Sequence, residues 1–172
     1  MKIEAIDDRQ DLFSVRDVFP RELIEDLKKI PLETVPFTKM ELQENMPRRR
    51  LTQLPGSVFA KIHDFINNQK QDLGKVIGKD IDHIDTAFWY DMEGFTFGTH
   101  VDNAGVKNVL QVYLSDCSKA GTVFYDDEQE RVEFDFKTNT GYLMMNNENQ
   151  KHGVPYPLGK DDVRLSIYCW IK

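Results

Sequence analysis

A chain of 172 residues, 40% of them hydrophobic and 30% charged, is long enough to bury one core without disulfides and suits a single domain, residues 1–172. The formal net charge of −7 argues against sequence-independent binding of nucleic acid, which needs a basic surface. Two cysteines without a CxxC spacing, no apolar run of membrane-spanning length and no leader-like start predict reduced thiols, no membrane span and a cytoplasmic location.

The first half of the sequence predicts two helices around an irregular segment. Residues 1–19 predict a short strand or an extended lead-in. Apolar residues at helical spacing then predict a helix over Pro20–Ile30, which Pro31 ends. Residues 31–55 contain four prolines and predict irregular structure. A second helix is predicted over Ser57–Ile77, with Ser57 as its N-cap and Gly78 at its far end.

The second half of the sequence has the period of β-strands. Beyond Gly78 the apolar residues alternate with polar ones, and turn-forming clusters separate the alternating runs. Strands are predicted over Ile84–Tyr90, Asn108–Leu114, Gly121–Tyr125, Arg131–Lys137, Gly141–Asn146 and Val163–Ile171. Short strands at this spacing predict a sandwich or a barrel-like jelly roll. The chain would thus consist of an N-terminal helical cover, residues 1–82, and a jelly-roll core, residues 83–172.

The last predicted strand has two unlike faces. Its aliphatic face matches the apolar stripes of the predicted helices, and we expect those helices to cover it. Its other face carries Arg164, Ser166, Tyr168 and Trp170 and would look into the barrel. A buried arginine there needs an anionic partner, because an unpaired charge out of water is costly. The strand over Asn108–Leu114 repeats this arrangement and turns Tyr113 inward.

Three residues form a candidate metal site. His100 and Asp102 stand two residues apart, and side chains at that spacing point to the same face of a strand. A third candidate ligand, His152, lies far downstream beside a Gly-Val-Pro turn signal. Two imidazoles and one carboxylate occupy one face of an octahedral ion and leave the other positions open, which suits the non-haem Fe(II) of oxygenases.

The order of these residues, followed by Arg164 and Ser166, resembles the Fe(II)- and 2-oxoglutarate-dependent oxygenase superfamily, with the prolyl 4-hydroxylase-like branch the closest. The resemblance covers residues 88–172. It extends to Tyr90 and Gly94 ahead of His100, and to the runs 109–115, 121–124 and 152–155. It implies a mainly β fold with N-terminal helices, the double-stranded β-helix, in which the helices cover the larger sheet.

The resemblance also implies roles for individual residues. His100, Asp102 and His152 would bind Fe(II). Arg164 would bind the distal carboxylate of 2-oxoglutarate, with Ser166, Tyr113 and Tyr90 as lesser partners. Such an enzyme uses O2, decarboxylates 2-oxoglutarate to succinate and hydroxylates a C–H bond of a peptide residue or a small metabolite; ascorbate is a further candidate cofactor.

Three departures weaken the expectation that the substrate is a proline. Arg164 stands where the collagen-type enzymes usually have a lysine, Phe97 where they often have a tyrosine, and a single Gly121 where a glycine pair is common. The run Arg48-Arg49-Arg50 precedes the predicted core and suits either a solvated charged surface or the binding of an acidic substrate at the mouth of the site.

Two other functions stay open on sequence alone. A nucleobase demethylase shares the metal motif and a downstream arginine, but the acidic charge and the absence of an evident base-stacking lid disfavour it. A non-catalytic, cupin-type metal-binding module typically carries a His-x-His pair. The pair His100 and Asp102, together with Arg164, disfavours that module.

Overall fold

The computed structural model describes residues 1–8, 10–38, 47–52, 54–103, 105–118, 121–126, 129–145, 147 and 150–172. These residues form two antiparallel sheets and three α-helices. This is the double-stranded β-helix that the sequence motifs indicated, and the predicted fold class is confirmed. None of the described helices is long and apolar enough to cross a membrane.

The larger sheet has seven strands in the order β1-β2-β9-β6-β11-β4-β3. These strands are β1 (Lys2–Ala5), β2 (Leu12–Arg16), β3 (Arg48–Leu51), β4 (Ile84–Asp91), β6 (Asn108–Tyr113), β9 (Thr140–Met145) and β11 (Arg164–Ile171). The smaller sheet has the order β5-β10-β7-β8. Its strands are β5 (Phe97–His100), β7 (Thr122–Asp126), β8 (Gln129–Phe134) and β10 (Lys151–Val154).

The outer face of the larger sheet is covered by α1 (Arg21–Lys28), α2 (Val58–Asn67) and α3 (Lys70–Ile77). The aliphatic face of β11 packs there with side chains from all three helices, as the sequence predicted. Because burial of apolar side chains is the main favourable term in folding, this layer is a principal source of stability. A second cluster of buried aromatic and aliphatic side chains fills the space between the two sheets.

The predicted second helix is wrong at its middle. Ser57 does cap α2, accepting a hydrogen bond from the Ala60 N–H, and Gly78 ends α3 in the left-handed conformation. Between them, however, α2 ends at Asn67 and α3 begins at Lys70. The residues from Asn67 to Asp72 are all polar, so no apolar side chain in this turn holds a continuous helix on the sheet.

The N-terminal part supplies strands as well as helices. The predicted lead-in forms β1 and β2, which pair with each other and, through β2, with β9. The segment predicted to be irregular contains β3, which pairs with β4 at the edge of the larger sheet; residues 39–46 and Gln53 of that segment lie outside the described residues. Residues 1–82 therefore contribute three strands to the larger sheet as well as the helices that cover it, because pairing with distant strands overrides weak local propensity.

Candidate metal centre and adjoining pocket

The smaller sheet brings the three candidate metal ligands together. His100 ends β5, His152 lies in β10, and the two residues are directly opposed in the antiparallel register. Asp102 follows β5, beyond the strand itself. Its Oδ1 lies 3.5 Å from the Nε2 of His100 and 3.9 Å from the Nε2 of His152. One ligand atom from each residue lies within 4.8 Å of the others, which is the compact donor set that a single ion needs.

Backbone carbonyls orient both imidazoles. The Nδ1 of His100 lies 2.9 Å from the Gly98 carbonyl, and that of His152 lies 3.0 Å from the Gln150 carbonyl. A carbonyl only accepts, so both Nδ1 atoms must carry the proton and both Nε2 atoms keep a free lone pair. Those lone pairs are on the side of Asp102, and such carbonyl partners are typical of metal-binding histidines. The donor set fits a divalent ion of the Fe(II) type.

The protonation states of the triad also fit a metal. Burial favours a raised pKa for Asp102, but hydrogen bonds to His100 and Tyr168 and the nearby histidines outweigh it, so the pKa is lowered. Burial lowers the pKa of His152. It has the same effect on His100, where bonds to Asp102 and Gly98 prevail and raise the pKa overall. At neutral pH Asp102 is thus a carboxylate and His152 a neutral imidazole, the forms that bind metal.

A tyrosine that the sequence analysis assigned no role holds the carboxylate. The Tyr168 hydroxyl donates a hydrogen bond to the Oδ2 of Asp102 at 2.5 Å. Burial raises the pKa of Tyr168 well above its ordinary value, so the hydroxyl keeps its proton and remains a donor. The signal was present in the sequence, because Tyr168 shares the inward face of β11 with Arg164.

A pocket of about 230 Å³ opens beside the triad. Arg164 lies in its wall with only 1% of its surface exposed, and the three candidate metal ligands and Tyr168 line the same pocket. The Arg164 guanidinium donates to Asp91 at 3.1 Å and makes a long contact of 3.5 Å with the Thr122 hydroxyl. Its Nε has no acceptor among the described residues. Burial lowers the pKa of Arg164 and the Asp91 carboxylate opposes that effect, while the guanidinium stays charged.

Asp91 is shared by two arginines. Arg48, at the start of β3, binds both Asp91 oxygens, at 2.5 Å and 3.0 Å, and its guanidinium lies over the rings of Trp89 and Phe95. Arg164 takes the same carboxylate from β11. Asp91 was not predicted as a site residue, although the alternation of β4 places it on the inward face. The cluster of two arginines and one carboxylate keeps one excess positive charge in the pocket wall.

The other predicted co-substrate residues lie farther from the pocket. Tyr113 is buried behind the wall, where its hydroxyl donates to Thr122 at 3.0 Å. Ser166 is fully buried and accepts a hydrogen bond from Gln111 at 3.0 Å. Tyr90 is not brought to the site, because it lies on the outer face of β4 and stacks on Phe37 at 5.1 Å. Because side chains alternate along a strand, Tyr90 points away from the face of β4 that carries Asp91 and does not line the pocket.

The arginine run divides between the two faces of β3. Arg48 and Arg50 face inward, and Arg48 lines the pocket. Arg49 lies between them, and its guanidinium donates to the Arg48 carbonyl at 2.9 Å. The run is therefore part of a strand and contributes two arginines to the inner face.

No family model and no curated protein matches the chain. Solved structures do match it. A prolyl-4-hydroxylase from Pseudomonas putida has a TM-score of 0.74 and 12% identity, with 94% of this chain and 92% of that chain covered.

Two further structures are similar at equally low identity. A prolyl hydroxylase from Trichoplax adhaerens, in complex with a hypoxia inducible factor peptide fragment, has a TM-score of 0.70 and 15% identity, with 94% of this chain and 83% of that chain covered. HygX from Streptomyces hygroscopicus, with nickel and 2-oxoglutarate bound, has a TM-score of 0.68 and 15% identity, with 96% of this chain and 87% of that chain covered. The chain thus has the fold of the prolyl hydroxylases and related oxygenases over nearly its whole length.

Proposed function

We propose that this chain is an Fe(II)- and 2-oxoglutarate-dependent dioxygenase of the prolyl 4-hydroxylase-like branch, which hydroxylates a C–H bond of a peptide residue or a small metabolite. The observation that carries the proposal is the convergence in one pocket of His100, Asp102 and His152 with the buried Arg164. Three metal ligands do not require a buried arginine in the pocket wall, whereas a dicarboxylate co-substrate needs a cationic partner such as Arg164.

The charges of the pocket support a dianionic ligand beside a dication. Arg48 and Arg164 offset Asp91 and Asp102, so these four groups sum to zero. A divalent ion would leave the pocket with two uncompensated positive charges, and the two carboxylates of 2-oxoglutarate would restore neutrality. The Arg164 Nε without an acceptor and the long contact to Thr122 leave the guanidinium able to bind one of those carboxylates.

The residues of the pocket would divide the work of binding. His100, Asp102 and His152 hold the metal, Tyr168 orients Asp102, and Arg164 with Thr122 binds the distal carboxylate of the co-substrate. Tyr113 and Ser166 act indirectly, through their hydrogen bonds to Thr122 and Gln111. When bound, the iron and 2-oxoglutarate would supply the oxidation, which consumes O2 and forms succinate, CO2 and the hydroxylated product. Tyr142 and the two tryptophans line the pocket and give part of its wall an aromatic surface.

Ligand-dependent thermal stability tests the proposal without a known substrate. Mn(II) or Ni(II) together with N-oxalylglycine, an unreactive mimic of 2-oxoglutarate, should raise the melting temperature. At a hundred times the dissociation constant the gain is about 2.7 kcal/mol, or roughly 5–10 °C for a chain of this size. The Asp102→Ala variant should lose this response, because it removes the only carboxylate of the donor set. Equal stabilisation of the variant would refute the ligand assignment.

Substrate class is tested by turnover. Succinate formation from 2-oxoglutarate should be stimulated by the correct substrate when peptides, free amino acids and methylated oligonucleotides are screened, with and without ascorbate. Stimulation by methylated oligonucleotides alone would favour nucleobase demethylation over the hydroxylation proposed here.

A further inference from the structure

A larger cavity of about 630 Å³ adjoins the metal pocket. We call it the side groove; Arg50, Thr52, Asp85, Lys107 and Lys172 are among its lining residues. Val106 and Trp170 line both cavities, so the groove and the metal pocket share a wall. The two cavities are therefore adjacent, which is the arrangement that a substrate spanning both would need.

Arg50 stands between two aromatic rings at this shared wall. Its guanidinium carbon lies 5.5 Å from the Trp89 ring and 5.5 Å from the Trp170 ring. No hydrogen bond from this guanidinium to any described residue is formed, and its Nε is shielded from solvent without an acceptor. Arg48 differs, since it lies on the same face of β3 and donates to both carboxylate oxygens of Asp91.

This environment suits a guanidinium that receives a ligand. Contact with an aromatic face uses the flat side of the guanidinium and leaves its N–H edge available for hydrogen bonds. A charged donor that is partly removed from water and has no acceptor is costly, and an anion at that edge would relieve the cost. The tryptophans also restrict the side chain, so less conformational entropy is lost when an anion binds.

The side groove is positively charged, although the chain carries a net charge of −7. Arg50, Lys107 and Lys172 line it together with one described carboxylate, Asp85. That carboxylate is already engaged, by Lys172 at 2.6 Å and by His83 at 2.6 Å. A local excess of positive charge in an acidic protein favours the approach of an anion to this cavity.

From these observations we infer that the side groove binds an acidic group of the substrate, a carboxylate or a phosphate, on Arg50, while the C–H bond to be hydroxylated lies in the metal pocket. This inference rests on the proposed function and narrows its substrate class. The acidic group could belong to a peptide side chain or to a small phosphorylated metabolite, and the shared chemistry is an anion held by a guanidinium.

The chain offers its own reporter for this site, because Trp89 and Trp170 are its only two tryptophans. Intrinsic fluorescence should change saturably when acetylated hexaglutamate or inorganic phosphate is titrated into the protein loaded with Ni(II) and 2-oxoglutarate. Acetylated hexaglutamine is the neutral control and should give no change. Hexaglutamate alone would assign the groove to acidic peptides, and phosphate alone to phosphorylated small molecules.

Variants of the arginine run decide whether Arg50 is responsible. Arg50→Gln should weaken binding of the anion at least about tenfold, as expected for a lost charge-assisted hydrogen bond. Arg50→Lys keeps the charge without the planar fork and should give an intermediate affinity. Arg49→Gln is the matched control and should bind as the parent does. Equal affinity in the parent and Arg50→Gln, or no saturable binding of either anion, would overturn the inference.

The titration is repeated on the protein without metal or 2-oxoglutarate, since Arg50 does not contact the triad. Binding that depends on Arg50 in a protein that N-oxalylglycine and Mn(II) fail to stabilise would refute only the proposed oxygenase function. A protein that N-oxalylglycine and Mn(II) do stabilise, but that shows no anion binding dependent on Arg50, would refute only the inference about the side groove.

Discussion

The hydrogen bond from Tyr168 to Asp102 fixes one carboxylate oxygen and thereby leaves the other for the proposed metal. With Oδ2 held by the hydroxyl at 2.5 Å, Oδ1 is the atom that faces both histidines. A carboxylate free to rotate would pay an entropic cost on binding an ion, and the phenol has already restricted it.

Replacing Tyr168 with phenylalanine should therefore weaken metal binding about 10- to 100-fold while leaving the fold intact. The ring still packs on Trp170, and only the hydroxyl is lost. The measurement is competition for Ni(II) against a fluorescent chelator. Tyr156→Phe, at a site that is 51% exposed, is the control and should not change the affinity. A Tyr168→Phe protein with the parent affinity would show that the hydroxyl does not orient the ligand.

Arg164 has a protein partner and a proposed ligand at the same time. Asp91 satisfies one of its nitrogens, while Arg48 already binds both oxygens of that carboxylate. The buried guanidinium is therefore only partly compensated, and an incoming carboxylate would complete its hydrogen bonds.

The Arg164→Ala variant should lose about 2–5 kcal/mol of co-substrate binding, which is roughly 30- to several-thousand-fold in affinity. Metal binding should be largely spared, because Arg164 is not one of the clustered ligands. Anaerobic titration with 2-oxoglutarate, followed by the charge-transfer band of the Fe(II) complex, measures the effect. Arg131→Ala is the matched control, since it also removes a largely buried, ion-paired arginine. An unchanged dissociation constant for Arg164→Ala would leave Asp91 as its ionic partner.

Secondary-structure elements show where sequence reasoning succeeds and where it stops. The alternation of β11 and β6 predicted which face meets the helices, because each strand has one aliphatic face and period two is unambiguous. The break between α2 and α3 was also encoded, as a polar run from Asn67 to Asp72, but a helical period on both sides of it masked the signal. No local sequence pattern predicted β3, because this strand is stabilised by long-range contacts. These are its pairing with β4 and the bonds of Arg48 to Asp91.

Close contact between β9 and β6 depends on a glycine. A Cβ on Gly141 would lie 1.9 Å from the Gln111 carbonyl oxygen, which is backbone and cannot move away cheaply. Gly141→Ala should therefore lower the free energy of unfolding by about 3 kcal/mol. Urea denaturation measures this change. Gly105→Ala, where a Cβ would meet no atom of the described residues within 4 Å, is the control and should change stability little. Equal urea midpoints for the two variants would show that the close approach of β9 to β6 does not require glycine at position 141.

At the scale of the whole molecule the site is divided between two sheets. The smaller sheet and the loop that follows its strand β5 provide the candidate metal ligands, while the larger sheet provides Arg164, Tyr168 and Asp91. The ligands and Arg164 were accessible from the sequence because their order resembles a family motif. The positions of Asp91 and Arg50 in the two cavity walls were not predicted, because they depend on which strands pair with each other. No sequence motif indicates that pairing. Tyr90 was misplaced because its strand face was not weighed against its motif position.

The place of β5 at the edge of the smaller sheet has a consequence for local opening. Within the part of the chain that the structure describes, β5 has one strand neighbour, β10, and their ladder is interrupted by a register shift between His152 and Val154. An edge strand with an irregular ladder is a natural first segment to fray. The candidate ligands His100 and His152 lie on these two strands, so a bound ion would fasten one to the other. Amide hydrogen exchange in β5 and β10 should then slow markedly on metal loading, while exchange in β1 and β2, at the far edge of the other sheet, stays unchanged.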